Sequence, residues 1–242
     1  MPNTSSSAEL HALYRISNEP VREFPYPHVY VRDVFPADFY RRLREQLPPA
    51  EKLATLSSMG RMKAGDMAAD QRTVLPLTTQ GLAGLDEPRR AFWQEVAGWL
   101  LGGSFGQVMT TKFSPWLRRR FPDLANARFA DEALLVQDRR NYSLGPHTDH
   151  PSKVLSFLFY LPADDSQSHL GTSMYLPRDP GFVCAGGPHY DFDKFHRLYT
   201  MPYQANAMFG FMKTPNAFHG VEPVEGEAVR ELLLYDIRSQ RT

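Results

Sequence analysis

Cysteine is almost missing: Cys184 is the single one in 242 residues. One thiol excludes an internal disulfide and any thiolate-rich zinc or iron–sulfur centre, and it suits a reducing compartment. An excess of charge of either sign is missing as well. Lysines and arginines number 27 against 27 aspartates and glutamates, so no broad field draws the chain toward nucleic acid or an anionic membrane. The basic clusters at Arg118 to Arg120 and Arg139–Arg140 read as a solvated helix end and a strand start. Long apolar runs are absent too: no stretch approaches the roughly eighteen uninterrupted apolar residues of a membrane span, and the opening MPNTSSSAEL has neither the basic nor the apolar region of a leader. The expectation is a soluble, cytoplasmic protein with no nucleic-acid partner and no membrane partner. No internal repeat shows, and low complexity is confined to the serine-rich first seven residues.

Proline and glycine are plentiful, at 20 and 16, with many of them after residue 140. That composition suits short strands joined by turns better than a helical bundle. The chain reads as one domain over residues 1–242, with a mostly helical buttress and a possible lid in 1–127 and a β-rich core in 128–242. In the first part, residues 8–17 form a short helix, PYPHVYVRDVF a strand, and a helix through Phe39, Leu43 and Leu47 ends at Pro48–Pro49. Between residues 50 and 79 no period is clean, and a lid, a binding loop or disorder all fit. Helices return at 86–101, where Phe92, Val96, Trp99 and Leu100 recur at three and four, and at 105–119; both are expected to pack on the outer face of a sheet. From residue 128 onward the runs ALLVQDRRNY, VLSFLFYL, GTSMYLP, LYTMPYQ, NAMFGFMK and VRELLLYDIR read as strands. Six such strands with long connections at 162–169 and 177–197 fit a jelly roll with flanking helices, a mainly β fold.

Chemistry concentrates in NYSLGPHTDHPSKVLSFLFYLP and, seventy residues beyond Asp149, in TPNAFHGVEP. His147 and Asp149 stand two apart. On an extended backbone residues i and i+2 point to the same side, so the two can grip one ion while Thr148 faces away. Two imidazoles and one carboxylate are the protein half of a facial iron site, and His219, from a neighbouring strand, is placed to supply the third ligand.

A lone H-x-D is weak evidence, and the chain carries a second one in His189 and Asp191. That pair lies in GGPHYDFDKFH, among glycine and proline with no strand behind it, and metal ligands need rigid supports. His189 and His196 therefore read as surface loop histidines. The first pair has Gly145–Pro146 as a turn before it, an apolar run after Lys153, and Arg230 eleven residues past His219 at the head of another apolar strand. An arginine pointing into a barrel demands an anion, either an internal acid or a dicarboxylate ligand.

These residues resemble the iron(II)- and 2-oxoglutarate-dependent dioxygenases, in particular the prolyl-hydroxylase-like branch. The resemblance covers roughly residues 128–237, with a fainter echo in PYPHVYVRDVFPADFYRRL, and its pattern is H-x-D, a distant H and a basic residue about ten positions later. It implies a double-stranded β-helix, cupin-like, with His147, Asp149 and His219 as iron ligands and Arg230 pairing with the distal carboxylate of 2-oxoglutarate. Tyr160, in FLFYLP, resembles the tyrosine that reaches the same carboxylate, and Tyr142 one that lines that pocket; core tyrosines bonded to backbone are the other reading of both. Departures are Leu170–Gly171 where a glycine pair is expected, and Glu231–Leu232 after Arg230, which lacks the expected hydroxyl residue.

What the resemblance implies is oxidative decarboxylation of 2-oxoglutarate with O2, release of succinate and CO2, and hydroxylation of an unactivated C–H bond in a small-molecule or peptidyl substrate. Asp149 argues against halogenation, since halogenating relatives lack the carboxylate. Arg61, Lys63 and Arg72 read as solvated loop cations, with contact to an anionic small molecule as the other reading, and Phe182, His189 and Tyr190 as residues at the mouth of the barrel. Two other classes stay open: a cupin-type metal enzyme that uses no 2-oxoglutarate, and a non-catalytic jelly-roll binding protein.

Overall fold

The computed structural model describes residues 4–60, 70–139 and 141–240. Among them, eleven strands form two antiparallel sheets. The larger has the order β1-β9-β6-β11-β4-β3-β2, with β1 at His28–Arg32, β9 at Ala207–Met212, β6 at Lys153–Tyr160, β11 at Arg230–Ser239, β4 at Phe129–Asp138, β3 at Arg72–Pro76 and β2 at Ala54–Thr55. The smaller runs β5-β10-β7-β8, with β5 at Leu144–His147, β10 at His219–Val221, β7 at Thr172–Pro177 and β8 at Phe195–Met201. The helices are α1 (Thr4–Asn18), α2 (Ala37–Glu45), α3 (Thr79–Leu82), α4 (Glu87–Leu100), α5 (Ser104–Lys112) and α6 (Ser114–Arg120).

Alternation of side chains along each strand sorts the large sheet into two layers. Leu233, Tyr235 and Ile237 of β11 face the helices and pack with Phe157, Phe159, Phe105 and Phe113. Phe105 meets Tyr235 edge to face with ring centres 5.0 Å apart, and each such ring removed from water contributes about 2 kcal/mol. Leu232 points the other way and joins Tyr160, Val74, Val136, Met174 and Val221 between the sheets. The result is a double-stranded β-helix with helices on the outer face of the larger sheet, which is the jelly roll that the strand pattern implies.

The helix at 86–101 forms as expected. Asp86 caps it by accepting from the Arg89 amide, Pro88 sits in its first turn, and Phe92, Trp93, Val96, Trp99 and Leu100 bury one face. The single helix expected over 105–119 is two, α5 and α6, because Pro115 lacks an N–H and cannot continue a helix. The strand expected from residue 198 runs instead from Phe195 and stops before Pro202, and β4 starts at Phe129 rather than at residue 133. Gly145 and Pro146 are not a turn but part of β5. As an edge strand, β5 tolerates the missing amide of Pro146. Of the aperiodic stretch 50–79, residues 61–69, with Arg61 and Lys63, lie outside the described residues; its remainder holds β2, β3 and a helical turn at Ala50–Lys52. No helix of the described residues is long and apolar enough to cross a membrane.

Candidate metal centre

His147 and His219 face each other as cross-strand partners on β5 and β10. Two features of the local sequence make that approach possible. A Cβ at Gly220 would come 2.5 Å from the Leu144 carbonyl, and one at Gly145 would come 2.4 Å from the carbonyl of Tyr190, so glycine is required at both positions. The ladder slips between His219 and Val221, and such bulges re-aim neighbouring side chains. Asp149 lies two residues past the end of β5, so the extended-strand argument holds for its direction rather than for its place in a ladder. Thr148 faces away as expected, donating to the Cys184 carbonyl and accepting from Lys213 Nζ.

The ligand atoms of His147, Asp149 and His219 all lie within 4.8 Å of one another, and all three residues are buried. Both imidazoles are oriented by the same device. Nδ1 of His147 is 3.0 Å from the Gly145 carbonyl, and Nδ1 of His219 is 3.0 Å from that of Ala217. A carbonyl can only accept, so each Nδ1 carries the proton and each Nε2 keeps its lone pair for a metal. Burial lowers the pKa of both rings, helped at His147 by the neighbouring His219, so both stay neutral and ready to ligate. Burial opposes ionisation of Asp149, but the Lys153 ammonium and the hydrogen bond from Ser156 hold its carboxyl well below the usual range. Ser156 donates to its Oδ2, which leaves Oδ1 facing Nε2 of His219 at 3.9 Å.

Lys153 Nζ stands 3.3 Å from Asp149 Oδ1 and 3.0 Å from Asp236 Oδ2. Arg238 continues the chain, 3.8 Å from Asp236 and 3.0 Å from Glu132. A line of alternating charges thus runs from Asp149 outward. Beside it opens a cavity of about 480 Å³, whose walls include Val74, Leu134, Val136 and Leu234 as well as His147, Asp149, Arg72 and His189.

At the other end of the barrel, Arg230 is fully buried. Its Nε donates to the Leu170 carbonyl, Nη1 to Asp138 Oδ2 and Nη2 to Thr172 Oγ1. The internal acid that a buried arginine demands is therefore present, and it is Asp138. Tyr160 lies beneath the same guanidinium and accepts from the Thr172 amide, while Tyr142 is buried with its ring under Arg72. Arg72 overturns its reading as a solvated loop cation: it is the first residue of β3, and its Nε and Nη2 grip both oxygens of Asp138 at 2.6 and 2.8 Å.

His189 keeps both of its readings, as a surface residue and as one at the mouth of the barrel. It is exposed, yet its ring packs edge to face on His147 with centres 4.8 Å apart, and it lines the cavity. Asp191 instead pairs with Lys194 in solvent, so the second H-x-D does not act as a unit. Phe182 and Tyr190 turn away from the cavity and pack with Phe195 and Phe218. Sequence reasoning missed Asp138, Lys153 and Asp236, and it named Arg72 without its partner. Asp138 carried one usable signal, since it shares the inward parity of Leu134 and Val136 on β4.

The fold and the triad together point to one class of site: a double-stranded β-helix in which two histidines and one carboxylate could hold a metal ion. Neither a protein-family model nor a curated protein sequence matches the chain. Solved structures do resemble it. A prolyl 4-hydroxylase of Pseudomonas putida superposes with a TM-score of 0.50 at 13% identity, over 96% of this chain and all of that one. The epimerase SnoN, crystallised with Fe3+, α-ketoglutarate and nogalamycin RO, gives 0.50 at 10% identity over 96% and 84%. A prolyl 4-hydroxylase from Phytophthora capsici gives 0.51 at 13% over 97% and 65%. At these identities the likeness is one of fold, and it is the fold expected of the prolyl-hydroxylase-like oxygenases.

Proposed function

We propose that the protein is an iron(II)- and 2-oxoglutarate-dependent dioxygenase, a single oxygenase domain that hydroxylates an unactivated C–H bond of a small molecule or peptidyl substrate in the cytoplasm. One observation carries the reading: three convergent ligand atoms in a barrel whose far end holds more guanidinium than carboxylate. Two neutral imidazoles and an ionised carboxylate are a donor set that would suit iron(II). Among the described residues, Arg72 and Arg230 share the one carboxylate of Asp138, and a buried positive charge left over calls for an anion. The distal carboxylate of 2-oxoglutarate would supply it. When bound, iron(II), 2-oxoglutarate and O2 supply an oxidative decarboxylation that yields succinate and CO2 and oxidises the substrate.

His147, Asp149 and His219 hold the metal, and the Gly145 and Ala217 carbonyls fix the two rings. Arg230 anchors the cosubstrate, its guanidinium held in place by the Leu170 carbonyl, Thr172 and Asp138. Tyr160 and Tyr142 wall the same end. The apolar lining from Val74, Val136, Leu134 and Leu234 excludes water along the middle of the cavity. Anaerobic addition of iron(II) and 2-oxoglutarate tests the reading. A weak visible charge-transfer band, absent in His147→Ala, and succinate formation in air are expected. A protein that binds iron(II) but develops no band and forms no succinate is a cupin-type enzyme or a binding protein instead.

A further inference from the structure

We infer that Arg72 is a second anchor for the distal carboxylate of the dicarboxylate cosubstrate, sharing that task with Arg230 through Asp138. The inference rests on the proposed function above. Its basis is register. Arg230 of β11, Asp138 of β4 and Arg72 of β3 are direct cross-strand partners, so they form one row across three adjacent strands. Side chains at paired positions point to the same face, here the barrel interior.

The two arginines differ in access. Arg230 is completely buried, and all three of its nitrogens already donate within the protein. Arg72 keeps 17% of its side chain exposed and lines the same cavity as His147 and Asp149. Its Nε and Nη2 are taken by Asp138, and its Nη1, with two N–H donors, makes no hydrogen bond among the described residues. The guanidinium is held in place from both sides, by the Asp138 carboxylate in its plane and by the Tyr142 ring 4.5 Å from its carbon. A planar donor fork fixed this way, with one edge left over toward a cavity, suits a carboxylate. One carboxylate between two guanidiniums leaves the row one negative charge short.

Chain length of the keto acid separates this role from a merely structural one. In nickel-loaded protein, 2-oxoglutarate and 2-oxobutyrate, which lacks the distal carboxylate, are titrated calorimetrically into wild type, Arg72→Gln and Arg72→Lys, after nickel affinity and folding are checked for each. Loss of a charge-assisted contact should weaken 2-oxoglutarate in Arg72→Gln by roughly tenfold to a hundredfold, with partial recovery in Arg72→Lys. Binding of 2-oxobutyrate should be unchanged. Equal weakening of both keto acids, or of neither, overturns the inference while leaving the proposed function standing. Absence of 2-oxoglutarate binding to the nickel-loaded wild type overturns both. If Arg72→Gln does not fold, the same comparison in Arg72→Lys decides: a loss confined to 2-oxoglutarate supports the anchor, and unaltered selectivity refutes it.

Discussion

Replacing Asp138 by asparagine tests the charge row most directly. The side chain is fully buried and accepts three hydrogen bonds from two guanidiniums, Nε and Nη2 of Arg72 and Nη1 of Arg230. Asparagine has nearly the same shape but offers one acceptor oxygen, and it turns an N–H toward a donor. Two buried cations are then left without a counter-ion. Breaking a buried pair from one side costs about 3–5 kcal/mol, and a third of that sum already exceeds what a typical surface substitution does. Urea unfolding of the metal-free protein, followed by far-UV circular dichroism, should show a loss in this range. The double variant Asp138→Asn with Arg72→Met should lose less than Asp138→Asn alone, because removing one of the two stranded cations relieves part of the penalty. A loss below about 1 kcal/mol in the single variant, or strictly additive losses in the double, would refute the claim that Asp138 neutralises both arginines.

Four further outcomes follow from the site. His147→Ala and Asp149→Ala should abolish nickel binding and succinate formation, whereas His189→Ala, which removes a ring beside His147 but no ligand, should keep nickel binding; calorimetry with the metal decides. Burial lowers the pKa of His28, His147 and His219 from an ordinary 6.5, so the folded apoprotein binds fewer protons than the unfolded chain below that pH. Stability should be complete above pH 6.5 and fall on acidification by up to about 1.4 kcal/mol per histidine per pH unit; urea midpoints that rise toward pH 5.5 would contradict this. Lys153→Met leaves Asp149 and Asp236 as adjacent buried carboxylates, so the apoprotein should lose about 3 kcal/mol and nickel should raise its melting temperature more than that of wild type; an equal or smaller rise counts against a shared role of Lys153. Gly220→Ala should destabilise the fold by more than the roughly 1 kcal/mol typical of a point change, since the new methyl meets the Leu144 carbonyl at 2.5 Å.

The parts of the site that could be read from the chain are those encoded over a few residues. The i, i+2 spacing of His147 and Asp149 fixes their common side, and the aromatic runs behind His147 and before His219 give the strands that carry them. Arg230 was legible as a buried cation in need of an anion because it heads an apolar strand. Its partner was not, since Asp138 lies 92 positions away and ends its own strand, where a carboxylate resembles a turn residue. Arg72 lies 66 positions from Asp138, in a five-residue strand that follows a polar stretch without period. Its charge marked it only as one of three cations in that stretch that could meet solvent or an anion, and the pairing of β3 with β4 alone brings it into the row. The row in turn helps to set that pairing. A two-residue slip of β3 along β4 would keep every side chain on its proper face and every apolar residue in the core, so the hydrophobic pattern alone does not forbid it. It would bring Val74 opposite Asp138 and carry Arg72 past the end of β4, losing both bonds to the buried carboxylate. The same buried ions therefore specify the register in which they are displayed.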